Sequence, residues 1–337
     1  MRSSDERDIC PRRPHKKSRR GCVEYGTPVN SPNHAHSNGV DISPPVNKLH
    51  LELLHHFVTN VLTSLGYDES SLGNPAFDIT NCALTTPYLM NQALAFSALH
   101  MSIIHPGKRE SYRNHASQLQ THALSEFNET KLDITPENCL PAFLFSSLLA
   151  MHVLGDKLLY RPHTFEVFLD EFIQSLRMYH GVRIISNRFW DILIMSPLKD
   201  FFEGQSKALA QSSSGHECLE LLSNIDATHS DTVIGNTYRK AIEDLQRAFD
   251  GSRTDPLKLP SMAPIVFWPV RISPAFIDLL SERRPEALII LSHFGALIYS
   301  RRDLWVLGDS GLYIISAVKE HLGPSWSAWL KYPNSFI

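Results

Sequence analysis

From Asn47 to Ile337, apolar residues recur every three or four positions, and no strand-like alternation persists long enough to build a sheet. That period places the apolar side chains on one face of successive helices, so this part of the chain is expected to be all-α. Leu54, Phe57, Val58, Val61, Leu62 and Leu65 mark the first helix, with Asn47 as its N-cap and Gly66 as its stop. Helices follow over Tyr88–Ile104 and about Lys108–Asn128, and a fourth is opened by Thr135–Pro136–Glu137 and ends near Gly155. In the second of these, Ala93, Ala95, Ser97 and Ala98 leave room for a close neighbour. Phe165–Tyr179 and Phe189–Phe202 read as two amphipathic helices, 205–215 as a loop, and 216–225 and 231–249 as weaker helices. Ser273–Pro274 caps a short helix to Arg283. Pro285–Tyr299 is apolar nearly all round and therefore central, and about Leu312–Leu322 ends at Gly323–Pro324.

The N-terminal 46 residues differ in kind. Residues 1–20 hold eight Lys or Arg against three Asp or Glu, in a chain of net charge −3, so the remainder is acidic. The dense run is Pro11–Arg20, in which Lys16, Lys17, Arg19 and Arg20 are suited to phosphate contact or to recognition by an import receptor; a solvated tail is the plainer alternative. Residues 21–46 are dominated by Pro, Ser, Asn and Gly and cannot bury enough surface to offset their ordering entropy, so 1–46 is expected to be a disordered arm and linker. The 337 residues are 43% apolar, enough for a large core. No uninterrupted apolar run reaches the ~20 residues of a membrane helix, and no secretory pattern opens the chain. Five scattered cysteines, Cys10, Cys22, Cys82, Cys139 and Cys218, do not read as a disulfide framework.

Catalytic patterns are few. Gly308-Asp309-Ser310-Gly311 copies the residues around a protease nucleophile, but Leu312 follows where a further Gly is needed, and helices flank it. Ser196-Pro197-Leu198-Lys199 matches an acylating-enzyme pattern without its K-T-G partner. His50 and His55, with Glu52 between, lie five apart rather than four and do not share a helix face. No phosphate-binding glycine loop is present. These absences point to binding or regulation rather than catalysis.

Two stretches carry a family resemblance. Lys16-Lys17-Ser18-Arg19-Arg20-Gly21-Cys22 resembles the start of the fungal zinc binuclear cluster. Phe267-Trp268-Pro269-Val270, Ile272-Ser273-Pro274-Ala275-Phe276, Glu282–Leu288, Ser292-His293-Phe294, Arg302–Trp305, and Leu322-Gly323-Pro324 with Trp326 and Trp329 resemble the regulatory domain of sterol-uptake-control-type fungal transcription factors. Leu51–Phe57 and Leu94–His100 fit the same family.

The resemblance implies a helical ligand-sensing domain over 47–337, behind the remnant of a zinc-cluster DNA-binding head. It implies a nuclear regulator with a cytoplasmic pool, DNA and a second copy of the chain as partners, a sterol as ligand, and zinc in intact family members. Ser292, His293, Phe294, Gly295 and Trp305 are the pocket candidates, with core packing as the other role open to His293, Phe294 and Trp305. The head departs from its pattern. Cys22 is followed by Val23, Glu24 and Tyr25 where a Cys-x-x-Cys is needed, so Cys22 is an orphan ligand, expected to be unmetallated. Two other readings stay open: a ligand-binding or dimerising partner that does not read DNA, and a helical enzyme with unrecognised chemistry.

Overall fold

The computed structural model describes residues 46–67, 74–130, 133–210 (backbone alone for 205–210), 215–230, 232–253 and 261–337. The basic run, Cys10 and Cys22 lie outside the described residues. The chain divides between Val46 and Asn47. Among the described residues there are fourteen α-helices and no strand, the all-α fold that the apolar period predicts.

The first two helices are set by their caps. Asn47 Oδ1 accepts the His50 N–H at 3.1 Å and opens α1, Lys48–His56. The helix runs on through a π-helical turn, Phe57–Val61, and a short 3-10 turn, Thr63–Leu65. Gly66, at φ 78°, ends it in the left-handed conformation that a glycine adopts without strain. Helix α2, Pro75–Leu84, was not anticipated from the periodicity. Asn74 Oδ1 caps it by accepting from the Phe77 N–H at 2.9 Å, and Ala76, Ile79 and Ala83 form its buried edge.

Two helix pairs follow in the chain. Helix α3, Pro87–Ile104, packs along α4, Arg109–Glu129, through small side chains including Ala116 and Ala123. Helix α5, Cys139–Leu159, packs along α6, Phe165–Leu193, and against α3. By length and composition α5 is apolar enough to cross a membrane, contrary to the expectation from uninterrupted runs, but most of it lies inside the protein. A helix apolar on several sides is what a central position requires. Helix α6 carries the expected Phe165–Tyr179 element on to Leu193, 29 residues in all, because Phe168, Phe172, Leu176, Tyr179, Val182 and Ile185 continue one buried stripe past Gly181. The expected Phe189–Phe202 helix is not one element but is split between α6 and α7 by a turn at 194–198. The break sits later, at Phe189 (φ −124°, ψ 18°). Helix α7, Lys199–Ala210, takes in the first residues of the expected loop.

In the C-terminal part the helices expected near 216–225, 231–249, 274–283, 285–299 and 312–322 are present, and the structure adds two that the periodicity does not predict, at Ala263–Arg271 and Lys331–Asn334. Helices α8, Leu219–Thr228, and α9, Val233–Arg253, lead to α10, Ala263–Arg271, and α11, Pro274–Ser281, which meet at 90°. Ser273 Oγ accepts from the Phe276 N–H at 3.2 Å and starts α11 at the corner. The Met262 N–H donates to the Leu65 carbonyl at 3.1 Å, tying the start of α10 to the turn behind α1. Helix α12, Pro285–Tyr299, is buried from Ala287 to Ile298. It crosses α13, Ser310–Leu322, where Gly295 faces Gly311. A Cβ on Gly311 would lie 2.4 Å from the Gly295 carbonyl oxygen and from the Tyr299 nitrogen, so the two backbones touch. The short α14, Lys331–Asn334, closes over α12.

Candidate functional site

An apolar cavity of about 240 Å³ lies between α5, α6 and α10. Helical spacing builds its walls: Phe143, Ser147 and Met151 are four apart on α5, and Tyr179, Val182 and Ser186 share a face of α6. Ala263, Val266, Phe267 and Val270 of α10 form the facing wall. Leu62 and Tyr67, behind α1, Ile79 of α2, and Phe201 and Phe202 of α7 complete it, and no lining side chain is charged. The polar groups of the lining are the hydroxyls of Tyr67, Ser147, Tyr179 and Ser186 and the Trp190 indole. The Oη of fully buried Tyr179 and the Oγ of Ser147 have no protein hydrogen-bond partner. Ser186 Oγ is already used: it donates to the Arg183 carbonyl at 3.1 Å. Burial pushes the Tyr179 phenol up, with a smaller contribution from Tyr67, and burial raises Tyr67 as well. Both phenols therefore stay neutral donors and acceptors at any physiological pH. A mostly apolar wall with a few polar groups is the usual form of a small-molecule site.

A second recess of about 670 Å³ opens beside the π-helical turn and includes His55, His56, His100 and His105. His56 Nε2 and His100 Nδ1 are 3.2 Å apart, and the Trp305 ring stacks on His100 at 4.4 Å. Burial lowers His56 and brings His100 down to about 4, His56 adding to the latter, so the pair is neutral and one ring donates to the other. Glu52, on the same wall, accepts from the Tyr112 hydroxyl at 2.9 Å.

The sequence-derived pocket candidates do not converge. Phe294 stacks on Trp268 at 4.4 Å, and Trp268 Nε1 donates to the Ala241 carbonyl at 2.9 Å. Gly295 faces α13. Ser292 is buried, with an unpartnered Oγ. His293 bonds the Ile289 carbonyl through Nδ1 at 2.9 Å and lines a recess of about 280 Å³ with Glu220, Trp329 and Tyr332. Burial holds it at about 4. Trp305 belongs to the His100 stack, with its Nε1 unpartnered. None of these five lines the apolar cavity. Lys16, Lys17, Arg19, Arg20 and Cys22 lie outside the described residues. The cavity was missed because its residues come from six separate segments. The signal in the sequence was a hydroxyl set among apolar neighbours on a helix, as at Ser147 and Tyr179.

The catalytic patterns take structural roles. Ser310 is buried and its Oγ donates to the Leu307 carbonyl at 2.5 Å, while Asp309 pairs with Arg161 at 2.7 Å. Lys199 pairs with Glu203 at 3.7 Å. The zinc that the family resemblance implies does not fit the residues in view. Among the described residues, no three His, Cys, Asp or Glu side chains are placed to hold a metal ion. Cys82, Cys139 and Cys218 are free, and burial raises each thiol away from the thiolate form that binds zinc.

No family model matches the chain. Over 285 residues, 77% of its length, the chain is 25% identical to a curated protein of Gibberella zeae. That relative is a Zn(2)-C6 fungal-type transcription factor. The chain spans 56% of the length of this Zn(2)-C6 factor, just over half. The similarity supports a place in the Zn(2)-C6 family and points away from an enzyme.

Proposed function

We propose that this chain is a transcription regulator of the Zn(2)-C6 fungal type, in which 47–337 senses a small apolar ligand and 1–46 is the arm that carries it to the nucleus. The observation that carries the reading is the likeness to a named transcription factor across most of the chain. A neutral apolar cavity within the helical unit supports the sensing role. A sterol, the class implied by the family resemblance, is the first ligand to test, because it presents one hydroxyl on a rigid apolar frame. The basic run around Lys16, Lys17, Arg19 and Arg20 serves import and weak, sequence-indifferent contact with phosphates. The protein acts by binding, as a dimer, and shuttles from a cytoplasmic pool.

A second reading rests on the residues after Cys22. Val23, Glu24 and Tyr25 supply no second thiolate, so the chain works as a partner that senses ligand or dimerises without reading DNA. One experiment serves both readings. The full chain is fused to an unrelated DNA reader, and reporter output is followed as cellular sterol is depleted. A several-fold change supports ligand-dependent regulation, and a flat response sinks it. Site-selective binding of the unfused chain to DNA in competition assays decides between the two.

A further inference from the structure

We infer that His56 and His100 form a two-imidazole chelate for a divalent transition-metal ion of the nickel, copper and zinc group, at the recess beside the π-helical turn. The site is separate from the apolar cavity and from the cysteine head that the family resemblance implies.

Three observations carry it. The first is the spacing of the ring nitrogens. His56 Nε2 and His100 Nδ1 are 3.2 Å apart, and the two rings are tilted by 49°. Two nitrogens in neighbouring positions around one ion, each about 2.0–2.1 Å from it, lie roughly 2.8–3.4 Å apart. Burial keeps both rings neutral, so no bound proton has to be driven off. The ring that now donates moves its proton to its other nitrogen, and both facing nitrogens then offer lone pairs to the ion.

The second observation is the surroundings. Both rings line the recess of about 670 Å³, together with Glu52, Thr59 and Asn60. Glu52 stands one helical turn before His56, and its charge favours positive charge at that ring. Its Oε1 accepts from the Tyr112 hydroxyl at 2.9 Å, which holds the carboxylate on the wall. Among the described residues no third donor completes a set, so water fills the remaining positions. Such an ion exchanges with solvent and is lost on purification. Imidazole donors select nickel, copper and zinc over magnesium and calcium, which require oxygen.

The third observation is the framework. The α-helical part of α1 gives way to the π-helical turn directly after His56. Turns of this kind are frequent at functional sites. One turn away from the pair, the buried Ser97 Oγ of α3 donates to the Leu53 carbonyl of α1 at 2.7 Å. That bond fixes the two helices in register, and the Trp305 ring, stacked on His100 at 4.4 Å, fixes the second imidazole. The two ligands are therefore held in place before an ion arrives.

The test uses the full chain, stripped with chelator, near neutral pH. Thermal unfolding is followed by circular dichroism with and without added Ni²⁺. At about a hundred times its Kd, an ion that binds only the folded chain raises the melting temperature by roughly 4–8 °C. Mg²⁺ at the same concentration should leave it unchanged. His56→Gln keeps a polar partner for His100 and removes one imidazole. Its Ni²⁺ shift, measured against its own ion-free melt, should vanish. His55→Gln, on the same recess but outside the pair, should keep the full shift. Cu²⁺ gives a local readout, because a bound cupric ion quenches a nearby indole. Trp305→Phe should remove the saturable part of the quenching, and Trp329→Phe should leave it.

A Ni²⁺ shift of equal size in His56→Gln, or one matched by Mg²⁺, places the ion elsewhere and overturns the assignment. So does saturable quenching that survives Trp305→Phe. If Ni²⁺ gives no shift and Cu²⁺ no saturable quenching, the two rings are a hydrogen-bonded pair and nothing more, and the inference falls. None of these outcomes bears on the apolar cavity.

Discussion

The contact between α12 and α13 gives the sharpest test of how this domain is packed. Gly295 leaves space on α12, and the structure fills that space with the backbone of α13 at Gly311. In Gly311→Ala the new Cβ would sit 2.4 Å from the Gly295 oxygen and the Tyr299 nitrogen, and 2.8 Å from the Tyr299 Cα. These are backbone atoms that no rotamer change can clear. Ordinary contact begins near 3.4 Å, so α13 must retreat by about 1 Å.

The retreat opens a gap above Ile314, Ile315 and Val318, all fully buried. Three such side chains make roughly 150 atomic contacts, of which about a third would face α12, worth about 5–10 kcal/mol of dispersion. A gap of that size forfeits a quarter to a half of it, about 1–5 kcal/mol and centrally about 3 kcal/mol. The better helix propensity of Ala returns at most about 1 kcal/mol. The net loss is about 2 kcal/mol, within the usual range for overpacking. For a domain of this size it lowers the melting temperature by roughly 4–8 °C. Thermal unfolding followed by circular dichroism is the assay. Gly181→Ala is the control: it lies within α6, its Cβ would meet nothing within 4 Å, and it should stabilise by about 0.5–1 kcal/mol. A Gly311→Ala protein that melts within 1 °C of the parent would refute the close crossing, and the space at Gly295 would then be free.

Stability should fall in mild acid. His100, His152 and His293 are held near 4 by burial, against an ordinary 6.5, so between those values the unfolded chain binds more protons than the folded one. Their contribution is complete above about pH 6.5 and drains away as the pH falls towards 4, each by up to about 1.4 kcal/mol per pH unit. Urea melts across that window should show a shallower slope for His152→Gln, and an unchanged slope would remove His152 from the account. Replacing Lys16, Lys17, Arg19 and Arg20 with Ala should shift a fluorescent fusion towards the cytoplasm, and an unaltered nuclear fraction would place the import signal elsewhere. The purified chain is expected to carry no stoichiometric zinc. Two zinc ions per chain by elemental analysis would mean that a metal-binding head exists despite Val23, Glu24 and Tyr25.

What the sequence determined by itself was local. The apolar period fixed the helical class, because a helix reports its buried face through residues three and four apart. Asn47, Gly66, Ser273 and Pro285 marked element ends, because capping bonds, a left-handed stop and a missing N–H act within a few residues. Asn74–Pro75 carries an equally local start for α2, an N-capping carboxamide before a proline at the first helical position. The continuity of α6 was harder to read. Gly181 looks like a stop, but tertiary packing of the stripe from Phe168 to Ile185 outweighs the small cost of one glycine.

The identity of the candidate site was decided only by the tertiary structure. Ser292, His293, Phe294 and Gly295 adjoin in sequence, and for that reason they point around the helix to four different neighbours. Ser147 and Tyr179 are 32 positions apart, and the α5–α6 pairing brings both onto one cavity. Likewise, Gly295 could have bordered a ligand or a helix, and local sequence does not distinguish the two. Which of them fills the space depends on the crossing of α12 and α13, fixed by Gly311 sixteen residues later.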